Sequence, residues 1–199
     1  MVSRQWLSEV ELQGKHVTLQ PLRKEHAKSL VEAASDGELW NLWFTGVPSA
    51  TTIDAHIEEA LSAKAQGLAL PFIVIDNATQ SIIGSTRFCN ADSTNQRVEI
   101  GYTWYAKRFQ KTLVNTECKY LLLSHAFDAL SAIAVEFRTH WHNQASRKAI
   151  ARLGAKQDGV LRNHQKMADG SFRDTVVFSI TNTEWLAVKA SLRYKLAAI

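Results

Sequence analysis

Residues 97–118 read Arg97-Val-Glu-Ile-Gly-Tyr-Thr-Trp-Tyr-Ala-Lys-Arg-Phe-Gln-Lys-Thr-Leu-Val-Asn-Thr-Glu-Cys118, and they join two elements of different period. The first eight residues alternate in polarity, which predicts a strand over 97–104. Beyond the segment, the apolar spacing predicts a helix from about residue 115 to residue 130. One face of the predicted strand carries Val98, Ile100, Tyr102 and Trp104.

The loop between these two elements presents the N-terminus of a helix. Free backbone N–H groups and the positive end of the helix dipole meet there, and together they suit a phosphate or pyrophosphate. The densest basic cluster of the chain lies here, and two interpretations of it stay open: a solvated loop, or attraction of an anionic cofactor. The cluster consists of Lys107, Arg108, Lys111 and Lys119.

Composition bounds the class of protein. The chain has 199 residues, of which 46% are hydrophobic and 21% charged, so we expect one globular domain over 1–199. No apolar run is long enough to span a bilayer, and residues 1–10 do not resemble a signal peptide. Cys89 and Cys118 are too few for a disulfide framework or a cysteine zinc site, so we expect a cytoplasmic protein.

The net charge leans basic without concentrating on one stripe. A formal charge of +4 and a pI near 9.1 come from scattered Lys and Arg side chains, which disfavours nucleic acid as a partner. The same charge disfavours a strongly cationic acceptor, because like charges slow encounter.

The remaining pattern predicts a mixed α+β fold. Strands 70–75, 81–88 and 97–104 are separated by turns and predict an antiparallel meander. The β-α-β unit from 97 to 139 predicts one parallel pair with a right-handed crossover. The other predicted elements are strands 16–22, 133–139, 160–166 and 172–181 (the last two joined by a turn at 168–171), helices 23–34, 52–66 and 144–153, a partly apolar connection over 36–49 and a C-terminal helix from residue 182.

Four pieces of the sequence carry a resemblance when taken in order. They are Leu12–Leu22, Val98–Tyr102, Asn143–Ala155, and Gly159–His164 with Asp169–Asp174. Together they resemble the Gcn5-related N-acetyltransferase (GNAT) family, in the branch of the ribosomal-protein-alanine acetyltransferases, and the similarity covers about residues 10–190. It implies a GNAT-like mixed, mostly antiparallel sheet with one parallel β-α-β crossover and flanking helices.

The resemblance implies acetyl-CoA as the acyl-donor substrate. The family's Gln/Arg-x-x-Gly-x-Gly/Ala loop falls on 110–115, where Gln110 matches but Leu113 and Asn115 replace the two small residues. Leu113 could adopt a positive φ only with strain, whereas Asn115 tolerates one and can cap the helix. The loop therefore follows a different path, binds CoA less snugly, or has lost the cofactor. Expected cofactor contacts are Trp104, Tyr105, Gln110, Lys111, Thr112, Leu113, Val114, Asn115, Asn143 and Ser146.

Two of these residues open the helix over 144–153. Asn143 is a good N-cap residue, and a serine in the first turn, Ser146, is unremarkable. The resemblance implies further roles: Asn143 holds the pantetheine arm, and Ser146 protonates the departing CoA thiolate. These roles are compatible with capping.

Aminolysis of a thioester needs a base, an oxyanion donor and a proton for the thiolate, because amines are mostly protonated near pH 7. Glu99 is the candidate base, since alternation places it opposite Val98 and Ile100. A solvated or ion-paired strand carboxylate is the competing interpretation. The expected oxyanion donor is a backbone N–H near Trp104–Tyr105.

Several further residues keep more than one interpretation. His140 and His142 have no third ligand at a convincing spacing, so no metal is expected; they form the polar rim of an acceptor pocket or ordinary surface. Trp43, Phe44 and Trp104 line that pocket or belong to the core. The Arg162…Asp174 pieces predict an ion-paired hairpin, and Arg173 approaches either the 3′-phosphate side or a substrate.

The expected activity is transfer of an acetyl group to a primary amine, either a protein N-terminus or a small molecule. The alternative is a non-catalytic module that binds acyl-CoA or a partner protein on a degenerate scaffold, for which Leu113 and Asn115 are the evidence. A homodimer is compatible with the resemblance, but no segment demonstrates it.

Overall fold

The computed structural model describes residues 6–167 and 169–197; Ala168, the first residue of the predicted 168–171 turn, and residues 1–5 of the segment tested for a signal peptide lie outside them. The strands are β1 (Leu12–Gln13), β2 (Val17–Pro21), β3 (Leu70–Asp76), β4 (Ser81–Asp92), β5 (Arg97–Tyr105), β6 (Ala134–His140), β7 (Lys156–Lys166) and β8 (Phe172–Thr181). The α-helices are α1 (Ala27–Ser35), α2 (Ile53–Ala65), α3 (Leu113–Ser124), α4 (Gln144–Leu153) and α5 (Asn182–Ala197).

The strands form one eight-stranded sheet in the order β1-β2-β3-β4-β5-β6-β8-β7. Its neighbours pair antiparallel except β5 and β6, so the predicted mixed fold and its single parallel crossover are confirmed. The predicted order of elements is also confirmed, with β1 as a short addition at the edge. A π-helical turn over His125–Ala129 extends α3 towards β6.

The parallel pair separates soon after it begins. Strands β5 and β6 are in register only from Arg97↔Ala134 to Glu99↔Glu136, whereas β6 stays paired with β8 as far as His140. Beyond Glu99, the two strands no longer hydrogen-bond to each other. We call the resulting gap, between residues 100–105 and 137–140, the crevice. Its two rims carry main-chain groups that β5 and β6 do not satisfy for each other.

A β-bulge in β5 alters the predicted facing of its side chains. The β4–β5 register shifts between Ser85 and Arg87, and Tyr102 has a left-handed φ of 51° and is 48% exposed. An extra residue in one strand reverses the alternation beyond it. The prediction that Tyr102 and Trp104 share a face with Val98 and Ile100 is therefore wrong.

Each face of the sheet has its own core. The first face packs against α3 and α5 and contains Val98, Ile100 and Tyr105; the second packs against α1 and α2 and contains Trp104. By alternation, polar residues of the central strands lie on the second face, where α1 and α2 contact β3 and β4. These residues include Arg87, Cys89, Glu99, Glu136, Arg138 and His140.

Helix α3 is fastened to the start of the sheet by one buried carboxylate. Glu117 accepts the backbone N–H groups of Lys15, His16 and Val17 at 2.9, 2.7 and 2.9 Å. A carboxylate that accepts several main-chain donors forms charge-assisted hydrogen bonds, which are shorter and stronger than neutral ones. Glu117 therefore ties the helix behind the crevice to the turn between β1 and β2.

Candidate functional site

The N-terminus of α3 lies two residues earlier than predicted. The helix begins at Leu113, and the N-cap is Thr112, whose hydroxyl accepts the N–H of Val114 at 3.3 Å. The same hydroxyl donates to the carbonyl of Phe109 at 2.7 Å. Asn115 lies inside the first turn, so the prediction that it caps the helix is wrong. Thr112 was the better capping signal, because threonine is one of the residues preferred at the N-cap.

The loop turns at Lys111 rather than at either replaced glycine position. Lys111 has φ 61°, whereas Leu113 and Asn115 are helical. Leu113 therefore escapes the strain expected from a positive φ, because the first position of a helix has an ordinary negative φ. Leu113 is half-buried and belongs to neither core cluster of the described residues.

The donors at this helix end are available to a ligand. Within the described part of the chain, the N–H groups of Lys111, Thr112 and Leu113 have no hydrogen-bond partner. The Gln110 side chain holds the preceding loop by donating to the carbonyl of Tyr105 at 2.9 Å. Adjacent free donors at a helix N-terminus fit an anion such as a diphosphate.

Lys119, which sequence reasoning grouped with the basic loop, points into the protein instead. Its ammonium donates to Thr103 Oγ1 at 2.6 Å and to Thr86 Oγ1 at 3.4 Å. Burial lowers the pKa of Lys119 to about 8. The signal was available in the helical period, since Lys119 lies three residues before the buried Leu122.

Asn143 and Ser146 lie at the open end of the crevice, on the side where β6 leads into α4. Asn143 is the N-cap, and its Oδ1 accepts the N–H of Ser146 at 3.0 Å, as predicted. Among the described residues, Asn143 Nδ2 and Ser146 Oγ have no hydrogen-bond partner. Both groups are thus free to contact a ligand while the cap stays intact.

Glu99 lies on the second face, as predicted, at the last paired position before the crevice opens. It is only 8% exposed; its Oε2 accepts from Asn90 Nδ2 at 2.8 Å and lies 3.4 Å from Arg138 Nε. Burial raises the pKa of Glu99 above its ordinary value. The carboxylate opens onto a cleft of about 140 Å³ lined by Asn90, Asp92, Arg97, Val98, Glu99, Glu136 and Arg138.

The pKa of Glu136, which lies directly across the strand pair, is shifted in the opposite direction to that of Glu99. Although burial acts to raise its pKa, hydrogen bonds from Arg97 and Arg138 outweigh that effect and lower it. Two neighbouring carboxylates with pKa values moved apart are an arrangement that supports acid–base chemistry. The group with the raised value, Glu99, is the better proton acceptor.

Arg87, which sequence reasoning missed, lies beside the bulge on the same face. It is 3% exposed, and its guanidinium stacks 3.8 Å from the centroid of the Tyr102 ring. His56 Nε2 lies 3.4 Å away, and burial, then Arg87, lower the pKa of His56. Charged residues in a strand usually predict a solvated face, so the sequence carries no clear signal for this buried cation.

Arg173 approaches the same region from β8. Its Nε donates to Thr175 Oγ1 at 3.0 Å, and its charge lowers the pKa of Glu99, against the larger effect of burial. The ion pair predicted for this hairpin is present, with Arg162 Nε 2.6 Å from Asp174 Oδ2. Arg173 therefore faces the Glu99 side of the sheet.

Aromatic side chains pack against the β6 side of the crevice opening. Trp43, which is 59% exposed, lies in the connection before α2, and its ring centroid is 5.0 Å from that of His140 and 5.7 Å from that of His142. Phe44 packs edge-on against Trp43 at 5.6 Å. Trp104, by contrast, is buried in the second core, so it is a core residue rather than an exposed pocket wall.

His140 is buried, which the interpretation as an ordinary surface histidine did not anticipate. Its Nδ1 accepts the backbone N–H of His142 at 3.1 Å, and burial lowers its pKa.

In the described parts of the chain, no helix is long and apolar enough to cross a bilayer.

Comparison with known proteins identifies relatives of this chain. The profile of the acetyltransferase (GNAT) domain matches residues 16–156. An uncharacterized N-acetyltransferase p20 of Bacillus licheniformis is 28% identical over 178 residues, which cover 87% of this chain and 97% of that protein.

Solved structures share the whole architecture. A GCN5-related N-acetyltransferase from Brucella melitensis superimposes with a TM-score of 0.87 at 28% identity, covering 96% of this chain and 87% of that one. Mycobacterium smegmatis RimJ, solved in complex with CoA-disulfide, has a TM-score of 0.75 at 22% identity, covers 92% of this chain and 89% of its own, and shows the shared fold. The resemblance seen in the sequence is thereby confirmed.

Proposed function

Because the chain belongs to the GNAT acetyltransferase family, we propose that it transfers the acetyl group of acetyl-CoA to a primary amine. The observation that carries this proposal is the crevice. It separates β5 from β6, has the free amides of α3 beyond the end of β5 and Asn143 beyond the end of β6, and keeps Glu99 where the strands part.

The donor substrate has a matching set of partners. The free N–H groups of Lys111, Thr112 and Leu113 suit the diphosphate of CoA. Unsatisfied main-chain groups along the crevice can add an extended ligand as a strand edge does, which suits the amides of a pantetheine arm. Asn143 Nδ2 supplies one further donor on the β6 side of the crevice, and the thioester supplies the activated acetyl group.

The protein's own groups then serve the three proton and charge requirements of aminolysis. Glu99 takes a proton from the attacking amine, and its raised pKa brings it closer to that of an ammonium group. A main-chain N–H near Trp104–Tyr105 stabilises the negative charge that develops on the carbonyl oxygen. Ser146 Oγ delivers a proton to the departing thiolate. Solvent has little access to the Glu99 carboxylate, which is buried.

The competing candidate is a binding module without catalysis. Leu113 and Asn115 replace small residues of the family loop, which is the observation that favours it. However, both are helical and unstrained, and the loop bends at Lys111 instead. The replacements therefore remove no donor that the diphosphate would need.

One experiment separates the candidates. Purified protein is titrated with acetyl-CoA by calorimetry and then assayed for thiol release over a panel of protein N-terminal peptides, amino acids and small amines. Binding together with turnover on any amine supports the proposal. Binding without turnover on every amine favours the module, and absence of binding excludes both acetyl transfer and a module that binds acyl-CoA. We further propose that residues 1–199 form one cytoplasmic domain, and sedimentation will show whether it dimerises.

A further inference from the structure

Two arginines on the second face lack a close carboxylate partner, although they lie in a partly buried site. Arg87 is almost fully buried, and among the described residues the nearest carboxylate, Glu59 Oε1, is 4.0 Å away on a side chain that is 67% exposed. Its remaining polar contact is His56 Nε2 at 3.4 Å. A buried guanidinium is costly unless it is paired and hydrogen-bonded.

Arg173 is the second such cation. Within the described residues it has no carboxylate within 4.0 Å, and its Nε contact is the neutral hydroxyl of Thr175. Burial lowers the pKa of Arg173, and the charges of Glu99 and then Tyr102 act in the opposite direction. Arg173 thus lies within electrostatic reach of both Glu99 and the bulge residue.

The other cations of this face are already neutralised. Arg138 contacts both Glu99 and Glu136, and Arg97 contacts Glu136. The two carboxylates at the base of the crevice are therefore shared between two arginines. The least compensated positive charge is at Arg87 and Arg173. Arg87 stacks on Tyr102 from β4, on the β5 side of the crevice, and Arg173 lies on β8, on the β6 side.

The spacing relates these cations to the proposed base. Arg87 is the cross-strand partner of Gly101, two residues beyond Glu99 on the same strand. Two residues of extended strand span about 7 Å. Long side chains reach across that interval, so one small molecule is large enough to place an amine at Glu99 and an anion at Arg87.

We propose that the amine acceptor carries a carboxylate, as a free amino acid does. Arg87 and Arg173 bind that carboxylate on either side of Tyr102, while Glu99 faces the amine. Arginine suits this role because its planar fork binds carboxylates bidentately. This inference rests on the proposed acetyl transfer and adds the chemical class of the acceptor.

The test compares amino acids with their own carboxamides, which keep the amine and lose only the negative charge. Amidation also lowers the pKa of the amine, so the amide has more of the reactive neutral form. A preference for the acid therefore cannot arise from amine reactivity. We expect kcat/KM for the best amino acid to exceed that of its amide by about tenfold or more.

Two variants locate the preference. Arg173 is half-buried, so the Arg173→Gln variant should fold. The Arg87→Lys variant keeps the buried positive charge but loses the planar guanidinium that binds a carboxylate with two hydrogen bonds. Each should reduce the acid-to-amide ratio to within about threefold, mainly through KM for the acid, with unchanged affinity for CoA by calorimetry. Arg193→Gln, which removes an arginine that contacts Tyr120 on α3, is the matched control and should keep the wild-type ratio.

The outcomes are distinguishable. Turnover without a preference for the acid, or a ratio that survives both variants, overturns this inference alone. A loss of CoA affinity that lowers turnover of acid and amide equally also overturns it, because the arginines would then bind the donor. Absence of turnover on every amine overturns the proposed function and this inference with it. Peptides with a free N-terminus and a neutral C-terminus should behave as the amides do.

Discussion

Glu99 on β5 lies directly across the parallel strand pair from Glu136 on β6, at the last position before the strands separate. The two carboxylates share Arg138 between them. Glu136 accepts hydrogen bonds from Arg97 and Arg138, whereas the one hydrogen-bond donor to Glu99 among the described residues is Asn90. The pair is therefore asymmetric, and the carboxylate next to the crevice is the one that holds a proton more readily.

Glu99→Gln should lower kcat by roughly 10²- to 10⁴-fold, the usual contribution of a general base. The amide can still bond to Asn90 and fill the same space, so stability and CoA affinity should stay near wild type. Steady-state kinetics with calorimetry of CoA binding measures this. A variant that loses less than threefold in kcat would show that another group or water accepts the proton.

Glu136→Gln should move the rising limb of the pH–rate profile to lower pH. The charge of Glu136 helps to raise the pKa of Glu99, after the larger effect of burial. Removing it also leaves Arg138 to interact with Glu99 alone. The pKa of Glu99 should fall, so its deprotonated form should accumulate at lower pH.

The measurement is kcat/KM against pH for the wild type and Glu136→Gln with one acceptor, since the acceptor's own titration is then common to both. Glu11→Gln, near β1 and away from the crevice, is the control and should leave the profile in place. A limb that moves to higher pH, or does not move, would contradict the assigned coupling.

Lys119→Met should stabilise the protein near neutral pH. Burial lowers the pKa of Lys119 to about 8 from 10.5, which corresponds to roughly 3 kcal/mol against the charged form. Methionine fills a similar volume, and Thr86 and Thr103 still bond to each other at 2.7 Å. We expect a gain of about 1–3 kcal/mol in the free energy of unfolding, after the lost hydrogen bonds are subtracted.

The pH dependence identifies the cause. Between the folded pKa near 8 and the unfolded value of 10.5, the unfolded state binds more protons, so wild-type stability gains from Lys119 as pH rises through this window. The variant lacks that gain, and its advantage should shrink between pH 8 and 10.5. Urea unfolding at several pH values tests this, with the exposed Lys28→Met as the control. An advantage independent of pH would point to packing instead.

The sequence predicts the frame of the site better than its interior. Alternation and helical spacing locate β5, α3 and β6. The rule for β-α-β crossovers then predicts that β5 and β6 are parallel. The bulge at Tyr102 was not predicted, although Gly101 directly precedes it and an isolated glycine in a strand often marks a bulge. Its position could not be fixed from the sequence, because register depends on the partner strand. Arg87 was missed as a buried group, since burial of a charge in a strand depends on tertiary partners that local pattern does not contain. Lys119 was missed although the helical period places it on the buried face of α3.

Substitution by glycine should have opposite effects on stability at Lys111 and at Leu113. Lys111 is left-handed, and a non-glycine residue there is strained, so Lys111→Gly should stabilise by up to about 1 kcal/mol. Leu113 is helical, so Leu113→Gly should destabilise by roughly 1 kcal/mol. Thermal unfolding measures both. If Leu113→Gly stabilised the protein, the assignment of the turn to Lys111 would be wrong.

Glu117→Gln should destabilise the protein by about 2–3 kcal/mol without altering the chemistry at the crevice. The carboxylate accepts three backbone N–H groups from residues 15–17, and charge-assisted hydrogen bonds of this kind are stronger than neutral ones. In the variant, one oxygen becomes an NH₂ group that faces donors and leaves them unsatisfied. Gly14 packs closely against this carboxylate, since a Cβ on Gly14 would lie 2.7 Å from Glu117 Cδ. Urea unfolding gives the loss of stability. The kcat measured well below the unfolding transition should stay within about twofold of wild type, because Glu117 fastens α3 and does not contact a substrate.

Glu11→Gln serves again as the matched control. A large fall in kcat at unchanged stability would mean that Glu117 has a direct part in the reaction.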